Sequence, residues 1–318
     1  MPEYYVNTLK PGDYFRDWLV DIVGDKLDDD RCKVRVYKIP ASHTVCRYEF
    51  SGQGYGVFVK FYAEPTGGNR RYNARDAMDN EFGKLQRIEN LIDVPKPLAR
   101  KKKFSCALVT ERVWGKPFSK YIHSEEGLYD RLTSVANSMR GLHDGTRSDL
   151  RQEKEFARFH KILDQLSLND HERDKFNHLL GKWWYSHFLD QPFGCMIHND
   201  ANPANYLFNH HKVYALDFES SWDHANRVHD LGVLAAELKK YFGWNKSRAD
   251  KAEPYIGHFL WRYSHGQDEF ESITKALPFF MSMGMLRMAR WGVNRKERMY
   301  LIREAEACLK SNGLNGHR

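Results

Sequence analysis

Between Cys32 and Tyr62 the chain alternates apolar and polar residues. The runs CKVRVYKI (32–39), TVCRYEF (44–50) and VFVKFY (57–62) repeat with the period of half-buried strands, and SGQGYG between the last two reads as a turn. The stretch ahead of them is polar and mixed, with DDDR (28–31) as a solvated turn, and no element is predicted there. Residues 73–92 change to a helical period. Met78, Leu85 and Ile92 recur at seven, with Glu81 and Ile88 on the same face. VPKPLA ends that helix. CALVTERVWGKPF (106–118) reads as a strand that runs into a Gly/Pro break, a hinge. The remainder is mostly helical. The fold class expected is α+β in two lobes. Residues 1–112 form a small antiparallel sheet with one helix, and residues 113–318 form a larger, mostly helical lobe.

One stretch of the second part is not helical, HNDANPANYLFNHHKVYALDFESS (198–221). YLFN and KVYAL are short apolar runs separated by the turn-like NHHK. A hairpin centred near His211 sets Asn205 and Asp217 opposite each other at its open end, where facing residues lie about 4.5–5.5 Å apart. An amide oxygen and a carboxylate so placed suit a hard divalent cation such as Mg²⁺, which takes oxygen ligands and bridges to phosphates. Asp200 reaches the same end and can accept a proton from an attacking hydroxyl. The alternative for these residues is plain turn duty, at which Asp and Asn excel.

Composition narrows the field. No run of 18 apolar residues exists, so no membrane span is expected, and the start lacks the pattern of a secretory leader. Five scattered cysteines without a C-x-x-C pair indicate a reducing compartment, and a cytoplasmic location is expected. The net charge of +7 permits an anionic ligand such as a nucleotide. Lys101–Lys103 read as a solvated turn, and no nucleic-acid partner is expected. The 15 histidines show no zinc-ligand spacing. GQGYG fails as a dinucleotide fingerprint because its glycine spacing is wrong and a strand follows it. Gly83-Lys84, Gly115-Lys116 and Gly181-Lys182 all lack the Ser or Thr of a phosphate loop.

His198, Asp200 and Asn205 meet the pattern His-x-Asp-x-x-x-x-Asn, and LDFE supplies a second metal-binding motif at Asp217. Here the sequence resembles the aminoglycoside phosphotransferase and choline kinase superfamily, which has a protein-kinase-like fold. The resemblance implies further roles. Lys60 is similar to the strand lysine that pairs with nucleotide phosphates, and Glu81 to its helix partner. A carboxylate on an apolar helix face such as Glu81 is costly unless paired, which supports the pairing independently. Backbone groups of Glu111 and Val113 would contact the base. Ser42 and His43, in IPASHTV, would offer backbone amides to the phosphates, although this loop lacks the glycines usual in the family. Asp230 would brace the catalytic loop, His198 would bond loop backbone, and Glu219 would be a metal ligand or a partner of one. Only 13 residues separate Asp217 from Asp230, too few for a protein kinase's activation loop, which favours a small acceptor.

The resemblance thus implies a phosphotransferase using ATP, with GTP as an alternative, and Mg²⁺. Its γ-phosphoryl group would go to a hydroxyl of a small molecule such as a sugar, amino alcohol or aminoglycoside-like compound. From Asp230 to Arg318 there are 15 Lys and Arg against 10 Asp and Glu. This balance weighs against a polycationic acceptor and favours a neutral or anionic one. Two rivals stand beside this expectation. One is a kinase-like nucleotide-binding scaffold without strong catalysis. The other is a lipopolysaccharide-core sugar kinase in peripheral contact with a membrane surface.

Overall fold

The structure, a computed structural model, describes residues 3–41, 43–63, 72–210, 212–290 and 292–311. Ser42 and His211 therefore lie outside the described residues. The chain packs into two compact units. The first comprises Met1–Gly115 with Tyr214–Glu219, and the second Lys116–Val213 with Ser220–Arg318. A short excursion late in the sequence thus joins the first unit, which no single boundary along the chain can express.

The first unit contains β1 (Tyr4–Leu9), α1 (Tyr14–Val23), β2 (Val34–Ile39), β3 (Thr44–Phe50), β4 (Gly56–Phe61), α2 (Ala74–Ile88), β5 (Pro97–Lys101) and β6 (Ala107–Glu111). Its six strands form one antiparallel sheet ordered β1-β2-β3-β4-β6-β5. The predicted strand alternation has a direct consequence. Val57 and Val59 of β4 join Val34, Val36 and Val109 in a core covered by Leu19, Val20 and Val23 of α1. Lys60, one position on, points to the other face, where α2 lies. The Tyr48 carbonyl runs so close to Gly56 that a Cβ there would sit 2.8 Å from it, so β4 must begin with glycine.

Two elements correct the sequence reading, since this unit holds two helices where one was expected. Asp13 caps α1 by accepting from the amides of Phe15 and Arg16. Phe15, Trp18, Leu19, Ile22 and Val23 give it an apolar stripe, with Arg16, Asp17 and Asp21 between them, a helical period that the polar stretches on either side of it obscure. β1 is an edge strand that leaves Tyr4, Tyr5 and Val6 exposed, so it carries no alternation to find. The helix expected over 73–92 ends earlier, at Ile88.

The second unit contains β7 (Lys116–Pro117), α3 (Phe118–Ser124), α4 (Leu128–Gly145), α5 (Gln152–Asp164), α6 (Asp170–Trp184), β8 (Cys195–Ile197) and β9 (Tyr206–Asn209). These are followed by β10 (Lys212–Ala215), β11 (Trp222–Ala225), α7 (Val228–Lys240), α8 (Ala252–Tyr263), α9 (Gln267–Ala289) and α10 (Arg295–Lys310). β10 begins here and ends in the first unit's excursion. The sheet order β10-β9-β7 sets β9 and β10 side by side, as the predicted hairpin requires. β8 pairs with β11 through Ile197 and Trp222. At the centre, α7 and α9 approach closely because both carry glycine. A Cβ on Gly232 would lie 2.3 Å from that of Phe280, and one on Gly284 would lie 2.9 Å from that of Ala236. This contact fixes α9 against the helix that carries Asp230.

Candidate active site

Two clusters hold the residues singled out from sequence, one in each unit. In the first, Lys60 is the hub. Its ammonium lies 2.9 Å from Glu81 on α2, 2.7 Å from Asp217 and 2.9 Å from Glu219. Tyr62 donates its hydroxyl to the same Glu81 oxygen. The excursion carrying Asp217 and Glu219 is held by backbone groups. Ala215 donates to the Asp93 carbonyl at 3.0 Å, and the Lys84 ammonium donates to the Glu219 carbonyl at 3.2 Å. Asp217 itself sits in the left-handed region at φ 63°. Asp tolerates that conformation better than most residues, and such outliers gather at functional sites.

The electrostatics follow from three carboxylates around one ammonium. Burial would lower the Lys60 pKa, but Glu81, Asp217 and Glu219 outweigh it and raise it. Burial would raise the Glu219 carboxyl, yet the His43 hydrogen bond and the Lys60 charge hold it at about 2. The ligating oxygens of Glu81, Asp217 and Glu219 all lie within 4.8 Å of one another. An all-oxygen, net-anionic donor set fits a hard divalent cation.

His43 enters in an unforeseen way, through its side chain. The buried imidazole meets Glu219 at 2.8 Å and packs on the ring of Tyr62. Glu111 ends β6, and its amide already donates to the Lys96 carbonyl at 2.9 Å. Val113 follows with a buried side chain.

In the second unit, Asp200 is the hub. Its Oδ2 accepts from the side-chain amides of Asn202 and Asn205, both at 3.0 Å. Asn205 also donates to the Asp200 carbonyl at 2.9 Å. Its amide nitrogen is thereby committed, and its oxygen is turned away from the carboxylate. The loop hangs from Asp230, which is fully buried in the first turn of α7. Asp230 accepts from the His198 amide at 2.7 Å, the Asn199 amide at 2.8 Å and the His143 ring at 3.2 Å. Burial alone would raise the Asp230 carboxyl, but His143, with His198 and His229 nearby, holds it at about 2. His198 accepts from the Asp200 amide at 3.3 Å, a bond within the loop backbone. Asn199, between them, has a φ of 64°.

Sequence reasoning missed Arg287. Its guanidinium donates to Asp200 Oδ1 at 2.9 Å and to the Asn199 carbonyl. The signal was present: a cation interrupts the apolar run FFMSMGMLRMA of α9, much as Glu81 interrupts its own helix. Arg158 of α5 completes the surround, reaching the Asn199 side chain and covering the Trp222 ring at 4.1 Å. Asp200 opens onto a cavity of about 400 Å³ formed wholly by the second unit. That is the size of a small-molecule pocket, which spans roughly 300–1,000 Å³.

Residues 43–262 match the sequence pattern of the phosphotransferase enzyme family. The chain belongs to that family. No curated protein matches the chain. Solved structures share the fold of this phosphotransferase family member at low identity. The gentamicin complex of APH(2")-IIa aligns with 15% identity, covering 94% of this chain and 96% of its own, at a TM-score of 0.58. An ethanolamine kinase from Plasmodium vivax aligns with 13% identity over 93% and 84% of the two chains, at 0.59. A choline/ethanolamine kinase family protein from Mesorhizobium loti aligns with 16% identity over 88% and 90%, at 0.59. The match to the family begins at His43 and ends at Arg262. It spans Lys60, Glu81, Asp200, Asn205, Asp217 and Asp230, but stops short of Arg287 and α9.

Proposed function

We propose that this family member transfers the γ-phosphoryl group of ATP to a hydroxyl of a small molecule, with Asp200 as the catalytic base. The observation that carries the reading is the state of Asp200. It is a carboxylate fixed by Asn202, Asn205 and Arg287 at the wall of a cavity large enough for a small acceptor.

In this reading the first unit handles the nucleotide. Lys60, aligned by Glu81, neutralises the α- and β-phosphates, and the backbone of Glu111 and Val113 meets the base. Asp217 and Asn205 are the proposed holders of Mg²⁺, with Glu219 as an additional carboxylate. The ion, when bound, neutralises charge on the phosphate oxygens. Asp217 is bonded to Lys60 at 2.7 Å, so Lys60 must exchange that contact for phosphate when nucleotide arrives. The second unit handles the acceptor. Asp200 accepts a hydrogen bond from the acceptor hydroxyl and takes its proton as the new O–P bond forms and the bond to the departing ADP breaks. Asp230 and His198 hold the loop, so that little rearrangement is needed at the moment of reaction.

The test is an ATP-consumption screen across a library of hydroxyl compounds, with Asp217→Ala as the blank. Acceptor-dependent consumption by the wild type that disappears in the blank supports the reading. Consumption indifferent to that substitution places the metal elsewhere.

A further inference from the structure

The Asp200 cavity has an unequal distribution of charge. Its charged lining is Asp200 and Glu237 against Lys240, Arg287 and Arg290. Two of the three cations are matched: Lys240 meets Glu297 at 2.9 Å, and Arg287 meets Asp200 at 2.9 Å. Arg290 is not. It donates to the Gln165 side chain and, at 3.4 Å, to the Arg287 carbonyl, both neutral groups. Among the described residues it has no carboxylate partner.

That arrangement is unfavourable as it stands. Arg290 is partly buried, and burial lowers its guanidinium pKa; Arg287, three residues earlier on the same helix, lowers it further, against the more distant pull of Asp200, whose bonded partner is Arg287. Like charges at this spacing repel, and a desolvated cation without a counter-ion is expensive. Arg158, outside the cavity lining, adds a third guanidinium near Asn199; burial lowers its pKa and Arg287 lowers it further, against Glu155 and Asp230. Glu237 is a poor remedy. It lies on α7, and burial raises its carboxyl pKa, with Asp200 raising it further against Lys240 and Arg287. Glu237 forms no ion pair with Arg290 among the described residues, and its carboxyl can accept a hydrogen bond from an acceptor hydroxyl. An oxyanion in the cavity would remove the penalty.

We propose that the acceptor is an anionic polyhydroxyl compound, a sugar or polyol bearing a carboxylate or phosphate, whose oxyanion is bound by Arg290 while a nearby hydroxyl reaches Asp200. This rests on the phosphotransfer reading for the role of the hydroxyl, but the anion subsite stands on its own geometry. Arg287 and Arg290 lie beyond the 43–262 match.

The experiment measures binding without nucleotide, by calorimetric titration of the full chain with glucose, glucuronate, glucose 6-phosphate and glucosamine. The first three differ only at C6, which carries a hydroxyl, a carboxylate or a phosphate ester, and the last carries an amine at C2. Glucuronate or glucose 6-phosphate binds tighter than glucose and glucosamine, and the preferred member tells carboxylate from phosphate. Arg290→Met weakens that anion by roughly 10- to 100-fold, the effect of losing a charge-assisted hydrogen bond. Arg290→Lys, which keeps the charge, restores part of it. Equal thermal unfolding midpoints for the three proteins guard against a folding defect. Glucosamine binding tightest, no anion binding at millimolar concentration, or anion binding unmoved in Arg290→Met would each overturn the proposal. Absence of phosphoryl transfer in a separate assay would count against the phosphotransfer reading and leave the subsite standing.

Discussion

The Lys60 and Asp200 clusters are close to electrostatic opposites. Around Lys60, one ammonium faces three carboxylates, so negative charge is in excess. Around Asp200, one carboxylate is held by a guanidinium and two amides, and the cavity beside it is lined by three cations, Lys240, Arg287 and Arg290, against two carboxylates, Asp200 and Glu237. A folded chain gains nothing from half-buried charge left uncompensated. The two excesses are therefore read as the imprint of two ligands, a divalent cation carried with a nucleotide and an anionic acceptor. The contrast also separates what is internally satisfied from what is not. Asp230, more deeply buried than either hub, is bonded to His198, Asn199 and His143 within the protein.

The sharpest way to break this contrast is to remove a hub. Lys60→Met leaves three carboxylates facing one another. Transfer should fall by roughly 10²- to 10³-fold, as expected for loss of a preorganised cation. Meanwhile Mn²⁺ binding in the absence of nucleotide should tighten about tenfold, because Lys60 no longer competes for Asp217 and Glu219. A Mn²⁺ titration that shows no tightening would mean the donor set is not the cation site.

Asp230→Asn tests the satisfied charge. Breaking this buried, bonded carboxylate should cost about 3 kcal/mol at pH 7 and lower the unfolding midpoint. The pH dependence has a definite sign. The Asp230 pKa is about 2 against an ordinary 3.8, so its stabilisation is full above pH 3.8 and is lost as pH falls toward 2. The acid limb of the wild type's stability curve should therefore be steeper there than that of the variant. Parallel curves would show that Asp230 does not carry the effect.

The smallest effects compare two glycines. Gly232→Ala forces a methyl into Phe280 at 2.3 Å and should cost about 1–3 kcal/mol by overpacking the α7–α9 contact. Gly257→Ala, in α8 with open space around it, should stabilise by about 0.4–1 kcal/mol through the unfolded chain. Shifts of the same sign in both unfolding midpoints would argue against close packing as the reason for Gly232.

Much of this was legible in the sequence. The strand alternation around Lys60 and the lone carboxylate at Glu81 foretold a pairing that the structure contains. The spacing of His198, Asp200 and Asn205 marked the loop, and the family resemblance implied Asp230 as its brace; the structure bonds Asp230 to the His198 and Asn199 amides. What stayed hidden did so for physical reasons. The apolar stripe of α1 is short and set between polar stretches, and β1 is an exposed edge without alternation. His43 meets Glu219 across 176 positions of sequence, and Arg287 meets Asp200 across 87. Such contacts are set by packing, here by the glycine-mediated approach of α7 and α9, and no local pattern announces them.

The most direct test is transfer of labelled γ-phosphate from ATP to an acceptor by the wild type and by Asp200→Asn, with nucleotide binding measured on both. The account predicts labelled acceptor with the wild type, a loss of roughly 10²- to 10⁴-fold in the variant, and nucleotide affinity retained. Equal transfer by the two proteins would contradict it.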